Sequence, residues 1–173
     1  MNYKFDEFPD IDRTNFVRHN PAFQKIVFGK SDLLPFWVAD ADFKVMPELV
    51  ETLTKRAELG HFLYESKSPG LKERLSSWYK EHYKISIHPK RVLFTPSVNT
   101  SVALVTELFA GKGEGVILQP PVYQVFAQTI TNLEREVINN PLLYSENGYQ
   151  IDFDDLEQKA SYSNAKIMLL CHP

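Results

Sequence analysis

The 173-residue sequence predicts an α/β fold with a mostly parallel sheet, and three observations carry that prediction. From residue 91 onward, short apolar runs alternate with segments of helical period. Two amphipathic helical patterns come before that alternation. The first 45 residues, punctuated by Pro9, Pro21 and Pro35, read as irregular. The expected organisation is an N-terminal arm with small-lobe helices over residues 1–90. Residues 91–173 would then be the first part of a larger domain built on the sheet.

The elements follow in order. Met46, Leu49, Val50, Leu53 and Ala57 share one helical face, and Gly60 offers a C-terminal cap. A second helix is predicted from Leu71 to Tyr83, with Leu71, Leu75, Trp78 and Tyr79 facing inward. Arg91 to Thr95 reads as the first strand. Val102, Val105, Leu108 and Phe109 mark a helix that ends by Gly111. Gly115 to Leu118 is a second strand, Val122 to Leu133 a helix, and Glu136 to Ile138 a third strand. Asn147-Gly148 is a turn signal. Asp152 is placed to cap a short helix to Ala160, and Ala165 to Leu170 is a fourth strand. That last strand reads as buried, and buried parallel strands have neighbours on both sides. It runs into Pro173 with nothing after it, so the chain is expected to be the front part of a larger enzyme, incomplete at its C-terminus.

Composition narrows the function classes. With 43% apolar and 13% aromatic residues, the chain has enough apolar surface to bury a core. A net charge of −3 with mixed signs gives no basis for nucleic-acid or membrane-surface binding. The longest apolar run, Ile167 to Cys171, is too short to span a bilayer, and Met1 to Asp6 contains no signal-peptide core. Cys171 is the sole cysteine, so no internal disulfide forms and a cytoplasmic location is expected. The histidines (His19, His61, His82, His88 and His172) have no spacing suited to a metal, and no metal site is expected.

Parallel sheets bind ligands at the carboxyl ends of their strands. There, Ser97, Val98, Asn99, Thr100 and Ser101 open a helix with free N–H groups and hydroxyls, which suits a phosphate. The same residues also suit a plain helix cap. Tyr123, after Pro120-Pro121-Val122, is placed to stack on a flat ligand or to pack in the core with a wet hydroxyl. Asp40 and Asp42 read as turn formers or as a paired-carboxylate site. The residues alone therefore suggest a phosphorylated, flat, aromatic ligand.

The run Asp32-Leu-Leu-Pro-Phe-Trp-Val-Ala-Asp-Ala-Asp-Phe43 closely resembles a stretch of the cystathionine β-lyase-like C–S lyases. These belong to the class I/II aminotransferase superfamily of fold type I pyridoxal-phosphate (PLP) enzymes. Further similar stretches occur in the family's order: Gly60 to Tyr64, Thr95 to Asn99, Gly113 to Val116, Pro120 to Phe126 and Lys166 to Pro173. The resemblance implies that residues 91–173 begin a PLP-transferase large domain. It implies pyridoxal 5'-phosphate as cofactor, gripped at its phosphate by Ser97, Val98 and Asn99 and stacked by Tyr123. It implies a homodimer in which Tyr64 reaches the partner's phosphate, and a substrate pocket bordered by Ala39 and Asp40. The substrate would be a small amino acid, cystathionine or another cysteine S-conjugate, cleaved by β-elimination. An aminotransferase of the same superfamily and a non-catalytic truncated chain are the alternatives. The family's Schiff-base Lys matches no position here, so no catalytic residue is assigned and the 173-residue chain alone is expected to be inactive, with weak or no cofactor binding.

Overall fold

The computed structural model describes residue 5 and residues 12–64 and 70–172. They fall into two compact units that divide at Ser68/Pro69.

The first unit contains a helix in the stretch expected to be irregular. Helix α1 spans Pro21–Phe28. Asn20 caps it, its Oδ1 accepting from the N–H groups of Ala22 (2.9 Å) and Phe23 (3.3 Å). Pro21 occupies the first turn, where its missing N–H costs nothing. Gly29, at φ 73°, closes the helix in the left-handed conformation that glycine tolerates best. An Asn-Pro start and a Gly stop eight residues apart in the helix frame were thus the signal that proline punctuation concealed. Helix α2, Pro47–Glu58, lies where the periodicity placed it. Its expected inner face does not form a core, however, since Met46, Leu49, Val50 and Leu53 are all exposed among the described residues.

The second unit opens with helix α3, Leu71–Tyr83, at the predicted bounds. A 3-10 turn, Pro89–Arg91, follows. Here the expected first strand fails: residues 92–95 pair with no strand, and Leu93 is 85% exposed. The physical reason is the sheet order. Strand β1, Gly115–Leu118, is flanked on both edges by β2, Glu136–Asn139, and β5, Ala165–Leu169. Both neighbours run parallel to it, so residues 92–95 cannot join at β1, and they pair with neither outer edge, that of β2 or that of β5, among the described residues.

Helices α4, Val98–Phe109, and α5, Gln124–Asn132, bury one face against this sheet. The core they share comprises Val102, Val116, Leu118, Phe126 and Ile130. Every β1 residue is buried, which explains its unbroken apolar run. β5 instead alternates half-buried and exposed positions, as an edge strand with one covered face does. The turn signal at Asn147-Gly148 closes a hairpin of β3, Leu143–Ser145, and β4, Gly148–Gln150. Asp152 caps α6, Phe153–Ala160, its Oδ1 accepting from the N–H of Asp155 at 3.0 Å. Among the described residues, no helix is long and apolar enough to cross a membrane.

Candidate functional site

The topology gathers two of the sequence-predicted features at one end of the parallel sheet. α4 runs back from its N-terminus to the start of β1, so that N-terminus lies at the end where β1 delivers Gln119 and the loop to Tyr123. A hydrogen bond ties the two helices: Thr129 Oγ1 on α5 donates to Asn99 Oδ1 at 3.2 Å.

Ser97 is the N-cap of α4, with extended backbone at φ −157°. Its Oγ accepts from the Thr100 N–H at 3.1 Å and lies 3.0 Å from Thr100 Oγ1. Thr95 Oγ1 donates to Ser97 O at 2.9 Å and shares a 2.6 Å hydrogen bond with Ser101 Oγ. The N–H of Ser101 returns to Ser97 O. The backbone N–H groups of Val98 and Asn99 have no partner among the described residues. They point out of the positive end of a twelve-residue helix, beside an exposed Val98 side chain. Ser97 thus caps the helix, and the N–H groups of Val98 and Asn99 remain unpartnered among the described residues. Thr95 lies in the stretch that the sequence singled out, but Thr129, which buttresses the loop from α5, escaped the sequence reading because it lies thirty residues from Asn99.

Tyr123 directly precedes α5. Its ring is 53% exposed and meets the Phe126 ring edge-on at 5.4 Å. It is therefore not a core aromatic.

Ala39, Asp40 and Tyr64 belong to the first unit, and all three are exposed. Ala39 and Asp40 sit in a loop held from within. Arg18 donates from Nε (3.1 Å) and Nη2 (2.8 Å) to Pro35 O, and from Nη1 to Asp40 O. It also pairs with Asp42 at 3.2 Å, and His19 Nε2 lies 3.1 Å from the same carboxylate. Asp42 is thus an anchor of the loop. Val38, at φ 58°, is a β-branched residue in the left-handed region, a strain this anchoring holds in place. The Asp40 carboxylate is left clear of these bonds.

The donor set fits a phosphorylated aromatic cofactor. Two free N–H groups and a hydroxyl cluster sit at a helix N-terminus, with an open aromatic ring at the neighbouring strand end. Among the described residues, no group of three or more His, Cys, Asp or Glu side chains is placed to hold a metal.

Comparison with known proteins places the chain's sequence and fold in one family. Residues 31–173 match the family model "Aminotransferase class I and II". The chain is 34% identical over 147 residues to cystathionine beta-lyase PatB of Bacillus subtilis, covering 85% of this chain and 38% of that one. It is 32% identical to protein MalY of Escherichia coli over 147 residues, with 84% and 38% covered. The crystal structure of cystalysin from Treponema denticola, which contains a pyridoxal 5'-phosphate cofactor, superposes with a TM-score of 0.85 at 30% identity, covering all of this chain and 44% of that one. The chain thus spans about 38% of the length of the curated relatives it matches.

Proposed function

The chain belongs to the aminotransferase class I and II family, and on that premise we propose that it supplies the phosphate-and-ring half of the cofactor site of a PLP-dependent C–S β-lyase. The observation that carries this reading is the pair of unpartnered N–H groups, Val98 and Asn99, at the same sheet end as the open ring of Tyr123. The cofactor phosphate would take those two donors and the Ser97 hydroxyl, where the helix dipole favours negative charge. Tyr123 would cover one face of the pyridine ring and keep water from it. When bound, PLP supplies an electron sink for carbanionic chemistry at the amino acid's Cα. Ala39 and Asp40 would border the substrate, held by the Arg18 and Asp42 bonds. Residues 1–90 would act as arm and small lobe, and 91–173 as the start of the PLP-binding domain. Dimerisation, with Tyr64 reaching the partner's phosphate, and a cytoplasmic location belong to the same proposal.

The favoured reaction is β-elimination from cystathionine or a related cysteine S-conjugate. The Cβ–S bond breaks, a Cα proton is lost, and with one water the products are a thiol, pyruvate and ammonia. Named cystathionine β-lyases among the relatives favour this over transamination. The test is to purify from its native source the longer protein of which this chain is proposed to be the N-terminal part, and to assay it with PLP and cystathionine. Equimolar pyruvate and homocysteine are expected. A keto acid without free thiol would replace the lyase reading with an aminotransferase, and no turnover would leave a non-catalytic chain. No residue of the 173 is assigned as the base or nucleophile of the reaction, so the isolated chain is expected to show no turnover.

A further inference from the structure

Asn140 is the most deeply buried polar side chain among the described residues, with no exposed surface at all. It follows β2, and every hydrogen-bonding atom of its amide is engaged. Its Oδ1 accepts from Gln119 Nε2 at 2.8 Å. Its Nδ2 donates to Asp155 Oδ2 at 2.7 Å and to Asp152 O at 3.1 Å. The backbone N–H of Asn140 donates to Leu118 O at 2.8 Å. The opposite amide orientation would set Nδ2 against the Gln119 NH2 and Oδ1 against a carboxylate, so only one orientation satisfies both neighbours.

The two ends of this relay differ in character. On one side, Asp155 is anchored to α6 by its own N–H on the Asp152 cap and by Lys159 at 2.8 Å, and Lys159 also bonds Asn139 O. The Asn140 amide, with help from Lys159, holds the Asp155 carboxyl below its ordinary range. On the other side, Gln119 is the residue from which Pro120-Pro121-Val122-Tyr123 departs. The same loop is held a second time where the Leu142 N–H donates to Pro120 O at 2.8 Å. Further along, Val122 packs against the core and Tyr123 O accepts from the Phe126 N–H at 3.1 Å, while the half-exposed Tyr123 meets the Phe126 ring at 5.4 Å. An apolar pair of the same shape would fill the space between β1 and β2 but would leave Asp152 O and the Asp155 carboxylate without their Asn140 donor. What the amides add is direction.

We propose that Asn140 is a positioning residue for Tyr123, acting through Gln119: it joins the base of the Tyr123 loop to the rigid N-terminus of α6 and so sets where the ring faces the cofactor. This rests on the reading of Tyr123 as the ring-stacking residue. Asn140→Asp keeps an acceptor for Gln119 but removes the donor to Asp155 and Asp152. Gln119→Met removes the donor from the other end and loses a single bond.

The experiment labels the full chain with 3-fluorotyrosine, assigns the Tyr123 resonance with Tyr123→Phe, and compares ¹⁹F spectra of the two variants with wild type. Pyridoxine 5'-phosphate is then titrated in; it lacks the aldehyde and cannot react with surface lysines. The expected result is a displaced or broadened Tyr123 signal in both variants, with Tyr79 and Tyr83 on α3 unmoved. Loss of one hydrogen bond predicts an affinity about fivefold weaker. An unchanged Tyr123 signal in either folded variant overturns the inference. Should Asn140→Asp not fold, Gln119→Met decides. If wild type binds no pyridoxine 5'-phosphate, the cofactor reading fails, while the ¹⁹F comparison still decides whether Asn140 positions Tyr123.

Discussion

Replacing Gly115 with alanine should drive β1 and β2 apart at the point where the sheet begins. Gly115 opens β1 opposite Glu136, and a Cβ built on it would lie 2.3 Å from Ile138 Cδ1 and 2.8 Å from Ile138 Cγ1. Carbon atoms at rest sit about 3.5–4.0 Å apart, so Ile138 must retreat by more than an ångström. It cannot do so freely, because it is only 5% exposed. The φ of Gly115 lies outside the left-handed region, so the cost is one of space alone. Overpacking of this kind costs about 1–3 kcal/mol, offset by about 0.4–1 kcal/mol from the stiffer unfolded chain. A net loss of about 1–2 kcal/mol is expected by urea unfolding followed in the far ultraviolet. Ile138→Val removes the clashing Cδ1 and alone costs about 0.5–1.5 kcal/mol. In the Gly115→Ala background it should cost much less, or even restore stability, a coupling of about 0.5–1.5 kcal/mol. Strictly additive losses would refute the packing argument, as would a Gly115→Ala variant as stable as wild type.

Three further outcomes are expected. Ser97→Ala strips the cap from the Thr100 N–H and should cost about 1 kcal/mol of stability, measured by the same unfolding assay. Asp155 is depressed mainly by its hydrogen bond from Asn140, so its contribution is present above the ordinary carboxylate value and is lost as pH falls through and below it. Thermal unfolding midpoints should therefore fall faster with acidification in wild type than in Asp155→Asn; parallel curves would refute this. β5 has a strand partner on one side only among the described residues, and Met168 and Leu170 are exposed, so the isolated chain should self-associate on size-exclusion chromatography with light scattering. A monodisperse monomer would count against that edge.

Local signals carried helices α2 to α6 and the strands β1, β2 and β5 into plain view in the sequence, while α1 was missed. α3 begins after Gly70 and closes on Lys84 at φ 59°, and its amphipathic run alone was enough to place it. The Asp152 cap and the Asn147-Gly148 turn are equally local, and both were legible. What stayed hidden was relational. Arg91–Thr95 has the composition of a strand, but strand formation depends on a partner edge alongside, and none of the described strands pairs with these residues. The site divides in the same way. Cap chemistry and position after a strand left Ser97, Val98 and Asn99 as cap or phosphate loop and Tyr123 as core or stacking aromatic; the family resemblance, not spacing, assigned them to a cofactor. The supports gave no such signal: Thr129 lies thirty residues from Asn99, and Asn140 twenty-one from Gln119. No periodicity links residues that far apart. Arg18 is similar, since its bonds reach Pro35 and Asp42 across a loop whose geometry the sequence does not announce.

In the proposed site, the N–H groups of Val98 and Asn99 form an anion cup beside Tyr123. The direct measurement is an amide chemical-shift titration of the isotopically labelled chain with pyridoxine 5'-phosphate, with inorganic phosphate in parallel. Weak binding is predicted, with the largest amide shifts at Val98 and Asn99 for both ligands. Shifts at Tyr123 and Gln124 should appear only for the ligand that carries a ring. Shifts centred elsewhere, or none at saturating ligand, would contradict the assignment of this loop as the cofactor's phosphate site.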